Sequence, residues 1–349
     1  MRAFFHQDQH LHAPQQFMRA GVISDPKDLP ARVDALLGAL AERGITPETP
    51  RDQGLEPLLA IHTKPYLDFL ASAHDRWQQI PGAGPEVLPN VSPYWNGRPE
   101  WPHRPACRSS SVVAQAGHYL GDLAVPLGPQ TWRSSLASSH TALAAADAVI
   151  DGAAEAYALC RPSGHHARAD RASGFCYLNN SAIAAERLRT RFGRVAVLDV
   201  DAHHGDGTQE IFYRRSDVLT VSVHVDPDAY YPFYTGYADE RGSGEGEGFN
   251  RNLPLPPGAS DRQMHEAVAE ALKEIGAFRP DALVIALGYD SHEHDPIGLL
   301  KVTTGGFEGI GRQIGAMGLP TLVVQEGGYQ ISVIGDCLGR FLDGLLDKA

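Results

Sequence analysis

The second half of the chain alternates between short apolar runs and longer segments whose apolar residues recur at helical spacing. Residues 157–160 (YALC) form a short apolar run, and 179–191 have helical spacing, opened by an asparagine pair able to cap a helix. Residues 194–200 (RVAVLDV) are valine-rich and largely apolar, the pattern of a strand buried on both faces. The same reading predicts strands over 218–224, 282–288 and 321–325, and helices over 262–278 and 307–317. Strands alternating with helices predict an α/β fold, a single domain built on a largely parallel multi-stranded sheet flanked by helices.

The first half is less regular. Helices are predicted over 31–43, stopped by Gly44, over 65–79, and over 138–156. Between the last two, residues 81–131 are rich in proline, contain Tyr94, Trp95 and Trp101, and show little periodicity. A structureless stretch of that length inside a compact domain is more often a functional loop than filler. It is read as a long insertion within one domain spanning 1–349. No repeat, low-complexity tract or linker interrupts it.

Composition narrows the class only a little. Hydrophobic residues at 43% and charged residues at 21% of 349 are ordinary for a globular chain that can bury a sizeable core. A net charge of -12 disfavours a phosphate backbone as partner, so no nucleic acid is expected, while a cationic substrate is tolerated. The four cysteines, Cys107, Cys160, Cys176 and Cys337, form no C-x-x-C pair, which excludes a zinc ribbon or a thioredoxin-like motif and predicts reduced, mostly buried thiols. The opening MRAFFHQDQH has no apolar core and the longest apolar runs are strand-sized. Neither a secretory leader nor a membrane span is therefore expected, and the cytoplasm is the default compartment.

Ligands of open α/β sheets bind beyond the carboxyl ends of the strands. Each predicted strand end here carries polar groups. RPSGHHAR follows the first and holds His165 and His166. DVDAHHGDG closes the second with Asp199, Asp201, His203, His204 and Asp206. His224 follows the third, Asp290 of YDSHEHDP the fourth, and Tyr329 of EGGY the fifth. Residues i and i+2 of an extended segment point the same way, so Asp201 and His203 can share one cation, with Asp290 as a third ligand. Two carboxylates, one imidazole and an open position suit a catalytic metal better than a closed structural site. Taken alone, D-x-H is more often a turn cap beside a surface histidine; five strand ends together change that balance. Adjacent histidines beside a metal-bound water suit general base and acid work, given orienting carboxylates, for which Asp199 and Asp206 are candidates. The two glycines before Tyr329 allow a sharp turn that aims its hydroxyl at a developing oxyanion.

Together, RPSGHHA, SGFCYLNN, VLDVDAHHGDGTQEIFY, VSVH, ALGYDSHEHDP and EGGY resemble the histone deacetylase/acetylpolyamine amidohydrolase family, in the family's order from about residue 136 onward. HTKPY at 62–66 and the helix after it look like the family's N-terminal part. The resemblance implies the arginase/deacetylase fold and removal of acetyl groups from small acetylated amines. It also implies one zinc ion on Asp201, His203 and Asp290. His165 and His166 look like the tandem catalytic pair, His166 being the base. Asp199 and Asp206 look like their orienting carboxylates, and Tyr329 like the carbonyl-polarising tyrosine. Gly174, Phe175 and Tyr231 match the acyl-amine tunnel. Family members also bind structural potassium. One matching site uses Asp199, Ser222 and Val223 with the Asp201 and His203 carbonyls; a second falls at Phe212, Arg215, Val218 and Phe249. The insertion 81–131 resembles the one that forms a homodimer interface and narrows the active-site mouth in acetylpolyamine amidohydrolases. Two departures stand out: RPSGHH replaces RPPGHH, and Val113 falls where polyamine-specific relatives carry an acidic residue for a distant ammonium. Acetyl-lysine side chains thus remain an alternative substrate. A two-manganese ureohydrolase needs further bridging carboxylates, and a non-catalytic acyl-binding module would not need every one of these groups. His10, His12, His103, His140, His292 and His294 receive no role.

Overall fold

The computed structural model describes residues 1–19, 21–93 and 105–347. Its strands are β1 (Arg2–Phe4), β2 (Phe17–Arg19), β3 (Val22–Ser24), β4 (Glu155–Ala158), β5 (Val195–Asp199), β6 (Val218–Val225), β7 (Asn250–Leu255), β8 (Ala282–Leu287) and β9 (Thr321–Gln325). Its helices are α1 (Ala31–Glu42), α2 (Glu56–Leu59), α3 (Lys64–Trp77), α4 (Val112–Tyr119), α5 (Thr131–Ile150), α6 (Asn180–Arg189), α7 (Asp206–Phe212), α8 (Asp261–Phe278), α9 (Thr304–Gly315) and α10 (Ile331–Leu346). Seven strands form one parallel sheet in the order β1-β4-β9-β8-β5-β6-β7, and β2 pairs with β3 in a separate antiparallel hairpin.

The central strands β5, β6, β8 and β9 are buried at every position and largely apolar, so the middle of the sheet is covered on both faces. In β5, Val195 and Val197 join the core under α3, α5 and α6, while Ala196 and Leu198 join the core under α1, α8, α9 and α10. β8 divides the same way, with Ala282 and Val284 on one side and Leu283, Ile285 and Leu287 on the other. This two-sided packing holds the carboxyl ends of β4, β9, β8, β5 and β6 side by side, and the polar segments of the sequence leave from those ends.

Two readings of the first half need correction. The helix expected over 138–156 runs from Thr131 to Ile150, and the last residues of that span belong to β4. Gly152, at φ 103°, ends the helix in a conformation other residues avoid. The insertion 81–131 is not structureless, since it holds α4. Its small and apolar face, with Val112, Ala116 and Tyr119 buried, is too short for its period to show in the sequence. Tyr94, Trp95, Trp101 and His103 lie outside the described residues. All four cysteines are free, and Cys160, Cys176 and Cys337 are buried. Among the described residues no helix is long and apolar enough to cross a membrane.

One buried histidine ties the N-terminal half to the site. His62 Nδ1 lies 3.1 Å from the Arg168 carbonyl, and Nε2 accepts from the Asn179 N–H at 2.9 Å. Asn179 in turn caps α6 through its side chain, which accepts from Ala182 N. The ring is therefore neutral, a donor at Nδ1 and an acceptor at Nε2. Burial pushes it down to about 4. The unfolded chain binds a proton near the ordinary value of about 6.5, and the folded chain does not until about 4. Stability from this group is thus complete above about 6.5 and is lost as pH falls toward 4, by roughly 3 kcal/mol in all. Urea unfolding from pH 7 to 4 should show His62→Gln losing less stability than wild type. Parallel curves would remove His62 as the source.

Candidate active site

Four segments leaving the sheet converge. The turn after β5 carries Asp199, Asp201 and His203, that after β8 carries Asp290, that after β9 carries Tyr329, and that after β4 carries His165 and His166. Asp201, His203 and Asp290 are buried and offer three ligand atoms within 4.8 Å of one another. His203 Nδ1 lies 3.1 Å from Asp201 Oδ1 and 2.9 Å from Asp290 Oδ2. The ring is stacked on Tyr230, centroids 4.4 Å apart, and the Tyr230 hydroxyl donates to the Ile297 carbonyl. Two desolvated carboxylates held this close repel one another. Burial and the charge of Asp201 push Asp290 up to about 7, while His203 and His165 hold Asp201 far below the ordinary carboxylate range against its own burial. A divalent cation is the partner this donor set lacks.

The remaining Asp201 and Asp290 oxygens are braced from the backbone. Gly327 N donates to Asp201 Oδ2 at 2.8 Å, and Ala202 N donates to Asp290 Oδ1 at 2.8 Å. A side chain at Gly327 is impossible without disturbing the pair, since a Cβ there would sit 2.5 Å from Asp290 Oδ2 and 2.6 Å from Asp201 Oδ2.

Each tandem histidine has its own carboxylate. His165 Nδ1 is 2.8 Å from Asp199 Oδ2, and His166 Nδ1 is 2.7 Å from Asp206 Oδ1. The two rings differ in charge. Burial disfavours protonation of His165, but Asp199 and Asp201 outweigh it and raise the ring well above its ordinary value. Burial and the neighbouring His165 push His166 down to about 4. Asp206 stays ionised despite burial because it accepts from His166 and from Arg168 Nη2, the latter at 2.8 Å. The pair thus presents one cationic and one neutral imidazole, with rings 4.1 Å apart. His166 packs edge-on against Tyr231, whose ring lies 5.0 Å away. Phe175, at φ 67°, contacts Tyr329 at 5.5 Å. Gly174 and Tyr231 therefore border His166, and Phe175 borders Tyr329.

The other singled-out residues divide. β5–β6 pairing sets Asp199 opposite Ser222, and the Ser222 hydroxyl lies 2.8 Å from His224 Nδ1. Phe212, Arg215, Val218 and Phe249 surround the start of β6. There Phe249 O accepts from Thr220 N, Phe212 O from Arg215 N, and the Arg215 guanidinium lies over the Phe212 ring. His204 and His224 turn away from the metal ligands: His204 Nε2 reaches Gln209 and His224 Nε2 the Gly236 carbonyl.

Several residues near the chemistry carry no signal in the sequence. Arg32 of α1 donates to the Glu326 and Gly328 carbonyls at 2.7 and 2.6 Å and lies under the Tyr329 ring at 4.8 Å. Asp28 pairs with both Arg32 and Arg161. Asp295 accepts from Tyr329 N at 2.7 Å. Asp122 accepts from the Tyr231 hydroxyl at 2.7 Å and from Gly174 N at 3.1 Å, linking those two segments. Of these, Asp295 lies in the HEHDP stretch and Arg161 opens RPSGHH; Asp28, Arg32 and Asp122 lie in no motif.

A parallel sheet with helices on both faces and a cluster of metal-ligating and paired histidine groups at its carboxyl ends defines an enzyme of the arginase/deacetylase fold. The histone deacetylase domain matches residues 27–345, and the chain belongs to that family, whose members are zinc-dependent hydrolytic deacetylases. Among its relatives, an acetylpolyamine amidohydrolase of Burkholderia pseudomallei is 48% identical, covering 95% of this chain and 94% of that one. An acetylpolyamine amidohydrolase of Mycoplana ramosa is 38% identical over 99% of both chains. The crystal structure of the acetylpolyamine aminohydrolase from Burkholderia pseudomallei superposes with a TM-score of 0.94 at 46% identity, covering 99% of each chain.

Proposed function

We propose that this deacetylase hydrolyses the N-acetyl amide of a small acetylated amine of the acetylpolyamine type, releasing acetate and free amine. The observation that carries the reading is the pair of Asp–His dyads beside the Asp201–His203–Asp290 cluster. The relatives' names agree with it. Zinc held by Asp201, His203 and Asp290 supplies Lewis acidity to the amide carbonyl and to the attacking water when bound.

His166, fixed by Asp206 with its proton on Nδ1, offers Nε2 as the base that takes the water's proton. The same proton passes to the amine nitrogen as the C–N bond breaks. His165, cationic beside Asp199, stabilises negative charge developing on the carbonyl oxygen. The Tyr329 hydroxyl donates to that oxygen. Burial keeps this phenol well above its ordinary value, so it remains a donor at any working pH. Gly174, Phe175 and Tyr231 hold the linear amine, with Asp122 fixing the spacing of the walls.

A second group of possible ligands among the described residues, His165, Cys176 and Glu326, is already engaged in hydrogen bonds, and one zinc per chain is the reading. Its His165 Nδ1 is tied to Asp199, and both Glu326 oxygens accept hydrogen bonds. Potassium is assigned to Asp199, Ser222 and Val223 with the Asp201 and His203 carbonyls, and more weakly to Phe212, Arg215, Val218 and Phe249. The insertion 81–131 is assigned to homodimer contact and the active-site mouth. Val113 lies half-buried on α4 and supplies no charge for a distant ammonium.

A panel of acetylputrescine, acetylcadaverine, acetylspermidine and an acetyl-lysine peptide tests the substrate class, with the small amines expected to show the highest kcat/KM. A zinc-loaded protein inert to all four would overturn the reading. Tyr329→Phe should lower kcat by about 10²–10³ with zinc retained, as loss of one oxyanion donor does. Near-full activity in that variant would remove Tyr329 from the chemistry.

A further inference from the structure

The Glu326 carboxylate is fully buried, opens the segment that ends in Tyr329, and lies outside the chemistry described above. Its Oε2 accepts from Gly164 N at 2.6 Å and from His165 N at 3.1 Å. Its Oε1 accepts from the Ser181 hydroxyl at 2.8 Å, in the first turn of α6. One side chain thus joins three pieces: the turn bearing the tandem histidines, the start of α6, and the segment bearing the tyrosine.

The far side of that segment is equally constrained. Glu326 N donates to Leu287 O and Gly327 N to Asp201 Oδ2, both at 2.8 Å, while Arg32 holds the Glu326 and Gly328 carbonyls. Asp295 takes Tyr329 N. The tyrosine segment is therefore anchored to the metal ligands from one side, and Glu326 passes that anchorage on to the histidine turn. The turn has little room to settle elsewhere. A Cβ at Gly164 would already lie 2.8 Å from the Leu178 carbonyl, so the backbone is packed tightly under α6.

We propose that Glu326 is a positioning residue for deacetylation, its carboxylate setting the distance between the base-bearing turn of His165 and His166 and the segment that carries Tyr329. This rests on the activity proposed above. Misplacing a reacting group by about 1 Å can cost about 10²-fold in rate. Loss of the acceptor leaves two buried N–H groups unpaired, and the turn must shift to satisfy them. The requirement is for an acceptor oxygen at this reach. All three contacts to the carboxylate come from donors, and a glutamine of the same length keeps an acceptor oxygen for the two N–H groups.

The test compares Glu326→Ala, Glu326→Asp and Glu326→Gln on the zinc-loaded enzyme, with active sites counted by titration with a tight-binding hydroxamate. Glu326→Ala is expected to lower kcat per active site by about 10–100-fold with KM within about twofold. Glu326→Asp, one methylene short, should fall with it. Glu326→Gln should recover to within about threefold of wild type, because its amide oxygen can still take both N–H groups and its NH₂ can donate to Ser181. Glu326→Ala at full kcat, or Glu326→Gln as slow as Glu326→Ala, would overturn the proposal. If Glu326→Ala does not fold, the Asp and Gln variants decide alone, and equal rates for those two would overturn it. A wild-type enzyme inert to every acetyl amide overturns the activity itself, a result no Glu326 variant can produce.

Discussion

His166→Ala is expected to lower kcat by about 10²–10⁴ while changing KM only a few-fold. A neutral imidazole is needed to accept a proton, and of the two tandem rings only His166 is neutral near pH 7. Burial and the positive charge of His165 push it down to about 4, while Asp206 fixes its orientation. Asp199 and Asp201 outweigh burial and raise His165 well above its ordinary value, which makes it a poorer base than His166. His165→Ala should therefore cost less than His166→Ala, since it removes electrostatic stabilisation and leaves the base in place. Asp206→Asn should fall between the two, because an amide holds the ring but favours the wrong tautomer. Steady-state kinetics of the three variants at saturating zinc check this order. A slower His165→Ala than His166→Ala would exchange the two roles.

How much of this was legible before the structure depends on how local each feature is. β5, β6, β8 and β9 were readable to within a residue or two, because a strand buried on both faces is apolar at every position. β1, with three residues, and β7, interrupted by Asn252 and Pro254, have no such run; they lie at the two edges of the sheet, where pairing on one side suffices. α10, absent from the expected elements, has a well-formed apolar face with Ile334, Leu338, Phe341 and Leu345 buried. The site was legible where it is written in consecutive residues. D-x-H and HH each place their groups by local geometry, and their partners Asp199 and Asp206 lie within the same strand exit. The support around them was not. Arg32 reaches Gly328 across 296 positions, and Asp122 reaches Tyr231 across 109. A lone arginine on an amphipathic helix and a lone aspartate in a proline-rich loop read as surface charge. Glu326 stood inside a noticed motif, yet its role depends on Gly164, 162 positions away, which no spacing rule connects.

Removal of the metal is the sharper test of the cluster as a whole. Dialysis against a strong chelator is expected to abolish activity, and one equivalent of zinc per chain to restore it. Lewis-acid assistance supplies several kcal/mol to the reaction. At about 1.36 kcal/mol per tenfold, that is a loss of at least about 10³. Asp290→Asn should reproduce the loss at ordinary zinc concentrations, since it removes one of two carboxylates and weakens the site's charge complement. Folding stability should move differently. In the apo protein Asp201 and Asp290 are two acids buried against one imidazole, a repulsion that disfavours the fold. Asp290→Asn relieves it, so the apo variant is expected to melt no lower than the apo wild type, while zinc raises Tm for the wild type and much less for the variant. Calorimetry with metal analysis reads both. An apo variant that melts well below apo wild type would make Asp290 a structural residue first, and an active chelated enzyme would remove the metal from the reaction.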